Sequence, residues 1–141
     1  MAGTVKQAVA VWKGGLEFEG RGQSGATLAM APDGVTFRPA ELVLVGLAGC
    51  TGMDVADILR KKRQDVTALE VQVTGHQAET QPAKYVRIHI NYVVTGRKVD
   101  SEAVRRSIEL SEEKYCSVAA SLRGVAEITT GFEVREAEPA A

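Results

Sequence analysis

Apolar and polar residues alternate along several segments of the chain, and this period of two residues predicts β-strands. The clearest segments are 66–76 and 85–95, each of which places valine, leucine or isoleucine on one face and polar residues on the other. The short loop between them contains Pro82, so we expect an antiparallel hairpin. Shorter patterns predict the remaining strands, two within 4–19 and one each at 26–30 and 126–134.

A different pattern covers residues 38–64 and predicts one long helix. Pro39 suits the first helical position, where its missing N–H would have no partner. Glu41 falls in the first turn, where a carboxylate complements the helix dipole. Residues 42–48 are apolar apart from one glycine, so we expect this half of the helix to be buried on all sides. Glycine recurs every three residues in the middle of the helix, which suggests that something approaches its backbone closely; the glycines are Gly46, Gly49 and Gly52.

A second helix is predicted over 101–115, followed by a short one at 117–123. The apolar stripe of the second helix repeats every three or four residues and consists of Val104, Ile108, Ser111 and Tyr115. The resulting order is strands, long helix, strands, helices and strand, which indicates an α+β fold with mainly antiparallel sheets packed on two main helices. We expect a single domain over 1–141, with a disordered tail at about 136–141.

Composition excludes several classes of function. The 141 residues are 45% hydrophobic and 25% charged, which is typical of a globular domain. A net charge of -1 argues against a nucleic-acid partner, and we interpret the basic run at 60–63 as a solvated helix end. We expect no membrane partner, because no apolar run approaches the roughly 20 residues of a membrane span. The N-terminus lacks the apolar core of a signal peptide, so the expected location is the cytoplasm.

The chain has two cysteines, Cys50 in the middle of the long helix and Cys116 at the end of the second. If these helices pack together, the two sulfurs could meet. Cytoplasmic cysteine pairs are more often catalytic, redox-active or metal-binding than structural. Two thiols without nearby histidines cannot complete the four ligands of zinc, so we expect no metal. The alternative is that both cysteines are small buried hydrophobic residues.

Two segments carry a resemblance to a known family. PAELVLVGLAGCTGMDV around Cys50 and EKYCSVAASLRG around Cys116 resemble the OsmC/Ohr family of osmotically inducible protein C and organic hydroperoxide resistance proteins. The resemblance implies an OsmC-like fold, an intertwined homodimer with active sites at the subunit interface, and reduction of organic hydroperoxides without a metal or other cofactor. It also implies that Cys50 is the peroxidatic cysteine, Cys116 the resolving one, and a dithiol, of lipoyl type, the reductant.

The match departs from the family pattern at the start of the long helix. In the organic-hydroperoxide branch a glutamate directly follows the proline and pairs with an arginine, whereas here Ala40 follows Pro39. Glu41 is displaced by one position, or about 100° around the helix. The sequence therefore resembles a less characterised branch lacking the Pro-Glu motif. Glu41 is either an auxiliary site residue or a helix-start carboxylate.

The arginine of the site has two candidates. Arg21 lies in a glycine-rich loop where the family arginine is expected, and Arg38 is the other. A guanidinium beside Cys50 would stabilise its thiolate. The alternative for Arg21 is a solvated loop residue. We expect Asp54 to face polar surroundings or to cap a neighbouring element, because a carboxylate facing the sulfur would raise the thiol pKa.

The leading hypothesis is a cysteine-based peroxidase for organic hydroperoxides that acts in oxidative-stress defence. Cys50 would form a sulfenic acid and Cys116 would resolve it to a disulfide. Two alternatives stay open: a non-catalytic dimer that binds a small apolar or thiol ligand, and a redox sensor. We expect His76 and His89 to face solvent rather than to act as bases.

Overall fold

The computed structural model describes residues 3–139, which form two compact units. The N-terminal unit ends at Val43 and the C-terminal unit begins at Leu44. The prediction of a single domain over 1–141 stays a prediction.

The N-terminal unit contains a three-stranded antiparallel sheet in the order β1-β2-β3, with strands β1 (Ala8–Gly14), β2 (Glu17–Gly22) and β3 (Thr27–Met30). Gly14 and Gly15 make the first turn with φ of 110° and 54°, values that glycine adopts without steric cost. The prediction that Arg21 lies in a loop is wrong. Strand β2 continues through Gly22, and Arg21 pairs with Val9 on β1 and Thr27 on β3.

The long helix is confirmed as α1 (Pro39–Lys61). At its start the Arg38 backbone N–H donates to Glu41 Oε1 at 2.9 Å, which is the glutamate half of a capping box. Burial follows one face only, because the buried residues recur every four positions: Leu47, Thr51, Val55 and Leu59. The expectation of all-round burial is therefore wrong for the single chain. On the opposite face, Val45 is 50% exposed and Met53 is 76% exposed.

The glycines of α1 differ in their surroundings. A Cβ atom at Gly52 would lie 3.3 Å from Val71 Cγ2, so strand β4 (Asp65–Gln77) does approach the helix backbone there. Within the part of the chain described, Gly46 and Gly49 face open space. Close approach within the chain therefore explains one of the three glycines.

By length and composition alone, α1 passes the test for a membrane-spanning helix, which corrects the expectation that no segment is long and apolar enough. Core helices of soluble proteins pass the same test, and one such helix is weak evidence for a membrane span. Leu47, Val55 and Leu59 belong to the hydrophobic core of the C-terminal unit.

The second sheet has the order β4-β5-β6, with β5 (Tyr85–Arg97) in the centre and β6 (Glu127–Glu136) at the edge. The predicted antiparallel hairpin of β4 and β5 is confirmed, whereas β5 and β6 are parallel. A parallel pair needs a crossover connection, which the helices after β5 supply. The inward face of β5 forms the centre of the core and consists of Ile88, Ile90, Tyr92 and Val94.

That crossover begins with helix α2 (Ser101–Leu110), whose first turn is capped by Asp100 accepting from the Glu102 N–H at 3.1 Å. The helix then widens into a π-helical turn (Ser111–Tyr115) before helix α3 (Ser117–Leu122). A π-helical turn has one more residue per hydrogen-bonded ring than an α-helix. The apolar stripe therefore loses its phase: Tyr115 is 58% exposed, whereas Cys116 is 3% exposed. The prediction that Tyr115 continues the buried stripe is wrong for this reason.

The first two residues of the predicted tail, Glu136 and Ala137, are joined to the second sheet. Glu136 is the last residue of β6, and the Ala137 N–H donates to the Gly96 carbonyl at 2.8 Å. The last two residues of the predicted disordered tail, Ala140 and Ala141, lie outside the described residues.

Candidate active site

The two cysteines meet in the C-terminal unit. Cys50 lies on α1, and Cys116 is the residue that precedes α3. Their sulfurs and a carboxylate oxygen of Asp54 all lie within 4.8 Å of one another. The Cys116 thiol donates a hydrogen bond to the Cys50 sulfur, which lowers the pKa of Cys50 and raises that of Cys116. The structure thus brings together the two thiols that the sequence placed on separate elements.

The environment of Cys50 favours its thiolate. Burial raises the pKa of this thiol, but hydrogen bonds from its surroundings more than offset that effect, and the pKa falls below the ordinary value of 9.0. The donors are the Val118 backbone N–H, the Cys116 thiol, and the hydroxyl and N–H of Ser117. The Ser117 hydroxyl oxygen lies 3.9 Å from Cys50 Sγ. Hydrogen bonds to a sulfur stabilise its charged form.

The pKa of Cys116 is shifted in the opposite direction, upward. Burial raises the pKa of the Cys116 thiol to about 11, and the negative charges of Cys50 and Asp54 add to the increase. The Ala119 N–H donates to Cys116 Sγ at 3.4 Å and opposes this shift. The pair therefore consists of one thiol that ionises easily and one that is held neutral.

Asp54 ends a chain of buried hydrogen bonds. The Ser111 hydroxyl donates to Asp54 Oδ2 at 2.9 Å, because a carboxylate can only accept. Because the Ser111 hydroxyl proton is used in the bond to Asp54, Ser111 Oγ accepts from the Thr51 hydroxyl at 2.8 Å. The Tyr92 hydroxyl then donates to Thr51 Oγ1 at 2.7 Å. The direction of all three bonds follows from the carboxylate.

The hydroxyl groups in this chain of hydrogen bonds are buried, and burial keeps the Tyr92 hydroxyl protonated. Tyr92, Thr51 and Ser111 are all buried, and no buried side-chain N or O atom lacks a partner among the described residues. Burial raises the pKa of Tyr92 to about 12, and although the hydrogen bond with Thr51 opposes this shift, the charges of Glu112, Cys116 and Asp54 add to it. Tyr92 thus stays a neutral donor. Asp54 faces polar surroundings, as expected, because it accepts from the Ser111 hydroxyl, but the same carboxylate also lies beside the two thiols.

The remaining candidate residues belong to the N-terminal unit. The Arg21 guanidinium forms an ion pair with Glu19, with Nε 2.7 Å from Oε1. Glu41 accepts from the Arg38 backbone at the start of α1, which is the role of a helix-start carboxylate. The assignment of Arg21 or Arg38 as support for the thiolate stays a prediction.

Both histidines are exposed, as expected from the sequence. His89 Nδ1 lies 2.7 Å from the Thr129 hydroxyl oxygen on the outer face of the second sheet.

Thr51, Tyr92 and Ser111 were not predicted as site residues, although the sequence carries a signal for two of them. Ser111 lies on the apolar stripe predicted for the second helix, and Tyr92 lies on the inward face of β5. A polar group at a core position needs a buried partner. Two such groups on separate elements indicate a shared buried network.

Comparisons with known proteins show the family and the fold of this chain. The family described as OsmC-like protein matches residues 32–131. Protein YhfA of Escherichia coli is 40% identical over 130 residues, which cover 91% of this chain and 97% of that protein. A crystal structure of a hypothetical protein from Aquifex aeolicus is 32% identical with a TM-score of 0.88, covering 96% of this chain and 99% of that one.

More distant structures share the fold. The organic hydroperoxide resistance protein OhrB of Bacillus subtilis is 17% identical with a TM-score of 0.63, covering 92% of this chain and 98% of that one. Together these similarities confirm the α+β, OsmC-like fold and the resemblance that the two cysteine segments indicated.

Proposed function

Because the chain belongs to the OsmC-like family, we propose that it is a thiol peroxidase that reduces organic hydroperoxides in oxidative-stress defence. The observation that carries the proposal is a pair of thiols within 4.8 Å whose pKa values are shifted in opposite directions. A peroxidatic cysteine must be a thiolate to attack, and Cys50 has the lowered pKa. Cys116, held neutral and adjacent, suits the resolving role.

The proposed cycle has three steps. The Cys50 thiolate attacks the terminal oxygen of the hydroperoxide, the O–O bond breaks, and an alcohol leaves after taking up a proton. Cys50 is now a sulfenic acid, and the Cys116 thiol condenses with it to give a disulfide and water. An external dithiol, for which we propose a lipoyl-type compound, reduces this disulfide by two exchange steps and restores both thiols.

A peroxide-consumption assay tests this function directly. Reduced protein is incubated with cumene hydroperoxide and excess dihydrolipoamide. We expect turnover by the wild type and none by Cys50→Ser. Cys116→Ser is the matched control, and we expect it to consume about one equivalent quickly and then to recycle slowly. Equal consumption by the wild type and Cys50→Ser would contradict the mechanism.

The substrate class is proposed from an apolar groove in the N-terminal unit. The groove has a volume of about 500 Å³, and its lining residues are apolar apart from Arg21 and Thr27; among them are Val9, Leu28, Met30 and Leu42. Such a surface suits a molecule with an apolar tail and one polar end. We propose Arg21 as the group that holds the peroxide end, with Arg38 and Glu41 as auxiliary residues. A larger loss of kcat/KM in Arg21→Ala than in Arg38→Ala would support this assignment, and equal small losses would contradict it.

We also propose that the protein is a homodimer. The exposed face of α1 carries Val45 and Met53, with Gly46 and Gly49 open between them. Glycines on an apolar helix face allow a second copy to approach the backbone closely. Light scattering should give twice the chain mass for the wild type and a lower mass for Met53→Asp. Asp57→Asn, a change at an exposed position of the same helix, is the control, and a monomeric wild type would contradict the proposal.

A reducing compartment suits this cycle, because both thiols must be regenerated, and we propose a cytoplasmic location. A second candidate function is a non-catalytic dimer that binds a small apolar ligand in the groove. Two observations favour it: Glu41 accepts from the Arg38 backbone in the helix cap, and Arg21 pairs with Glu19 on its own strand. Ligand binding without peroxide turnover would favour this candidate.

A further inference from the structure

The cluster of Cys50, Asp54 and Cys116 offers a ligand set that disulfide chemistry does not need. It presents two sulfurs and one carboxylate oxygen, all within 4.8 Å of one another. Zinc in proteins binds thiolate sulfur at about 2.3 Å and carboxylate oxygen at about 2.0–2.2 Å, so its tetrahedral ligand atoms lie roughly 3.5–3.8 Å apart. The three ligand atoms therefore need only small movements to share one cation.

Asp54 is held in the way that metal-binding carboxylates are held. Ser111 donates to Oδ2 at 2.9 Å, and Thr51 fixes Ser111 at 2.8 Å. Outer hydrogen bonds of this kind orient a ligand and raise its affinity for the metal. Ser111 occupies one lone pair of one carboxylate oxygen, so the Asp54 carboxylate retains lone pairs for a cation.

The charges in the cluster all have the same sign. The main groups that act on the two sulfurs are backbone N–H groups, the Ser117 hydroxyl, the partner thiol and Asp54. When both thiols are ionised, three negative ligands converge, and a cation is the group that would stabilise them. Soft sulfur ligands select zinc-like cations over Mg²⁺ or Ca²⁺.

We propose that Cys50, Cys116 and Asp54 form a binding site for a thiophilic divalent cation of the Zn²⁺ class, with the fourth coordination position open to water. The two thiols without nearby histidines were too few to hold zinc, and Asp54 supplies a third ligand beside them. Binding replaces the thiol protons, which are released to solvent, and no electron is transferred. The inference goes beyond the proposed peroxidase, because it concerns the reduced resting protein.

The same sulfurs cannot hold a cation and form a disulfide at once. The site should therefore exist in the reduced protein and disappear when the disulfide forms. This relation makes the oxidation state an internal control for any binding experiment.

The test is a titration of the full chain, reduced with a phosphine, with Co²⁺ and then Zn²⁺. We expect one Co²⁺ per chain, with sulfur-to-cobalt charge-transfer absorption and the visible bands of tetrahedral Co²⁺, and displacement of Co²⁺ by Zn²⁺. Asp54→Asn should bind Zn²⁺ at least about tenfold more weakly, and Ser111→Ala about tenfold more weakly, the lower end of the range for outer-group changes. Asp57→Asn is the matched control and should bind like the wild type, because its carboxylate is exposed and pairs with Arg60 and Lys61.

Three results would overturn the proposal: wild-type affinity in Asp54→Asn, an equal loss in Asp57→Asn, or retention of binding after the protein is oxidised. A second measurement does not depend on the folding of any variant. X-ray absorption of the Zn²⁺-loaded wild type should show two sulfur and two oxygen neighbours, and a shell of nitrogen and oxygen alone would overturn the site. None of these measurements uses peroxide, so metal binding can succeed or fail independently of the proposed peroxidase activity.

Discussion

The two thiols should differ in reactivity by an amount that follows from their surroundings. With a pKa of about 11, Cys116 is ionised to about one part in ten thousand at pH 7. Cys50 has a pKa below 9.0 and is ionised to at least about one part in a hundred. The thiolate populations therefore differ by at least about 100-fold.

Intrinsic nucleophilicity reduces this ratio. A thiolate of lower pKa attacks more slowly, with a Brønsted coefficient of about 0.4–0.5, and a difference of two pKa units costs roughly eightfold. We therefore expect Cys50 to react at least about tenfold faster than Cys116 in the folded protein. The burial of Cys116, which is 3% exposed, should increase the difference further.

The assay is alkylation of the reduced protein by iodoacetamide at pH 7, with both sites quantified by peptide mass spectrometry. The same reaction in guanidinium is the control, since unfolding removes the surroundings and should make the two rates similar. Ser117→Ala should slow the alkylation of Cys50, because it removes the hydroxyl that donates to this sulfur. Alkylation of Cys116 at the same rate as Cys50, or faster, would refute this account of the site.

Further predictions concern stability. Thr51→Val should lower the free energy of unfolding by about 2 kcal/mol, because the valine leaves the buried hydroxyls of Tyr92 and Ser111 without their partner. Thr51→Ser keeps a hydroxyl and should cost less, and equal costs in chemical denaturation would contradict the chain of hydrogen bonds. Gly96→Ala should cost about 3 kcal/mol, because its Cβ would overlap the Asp65 carbonyl oxygen, whereas Gly131→Ala, with neighbours no closer than 3.6 Å, should change stability by less than about 1 kcal/mol. Burial raises the pKa of Cys116 in the folded state to about 11, so its protonated thiol adds to the free energy of unfolding. This stabilisation, at most about 3 kcal/mol, is fully present below about pH 8.5 and is lost as the pH rises through about 11. Cys116→Ser should therefore flatten the pH dependence of the free energy of unfolding over the lower part of this range.

Periodicity predicted most of the fold because the elements bury one regular face. The inward positions of β5 alternate along the whole strand, and the long helix begins and ends within three residues of its predicted bounds. The failure at Tyr115 has a local physical cause. The π-helical turn after α2 adds a residue that no hydrophobic pattern announces, and it moves Tyr115 outward and Cys116 inward.

The sequence predicted the cysteines of the candidate site but not the residues around them. The two cysteines were identified by residue type and by resemblance, and the structure brings them together. The position of Asp54 beside the thiols was not predicted, because it depends on the packing of α1 against the π-helical turn, which supplies its partner Ser111. Thr51 on α1 and Tyr92 on β5 extend the same chain of hydrogen bonds. Such contacts between distant segments are set by tertiary packing and not by local pattern.

The proposed redox pairing of Cys50 with Cys116 can be measured as a change in intact mass after the protein reacts with one equivalent of organic hydroperoxide. We predict that the wild type loses two hydrogen atoms as its internal disulfide forms, and that Cys116→Ser gains one oxygen atom as the Cys50 sulfenic acid persists. A wild type that gains oxygen without forming the disulfide, or a Cys116→Ser protein that stays unmodified, would contradict the account.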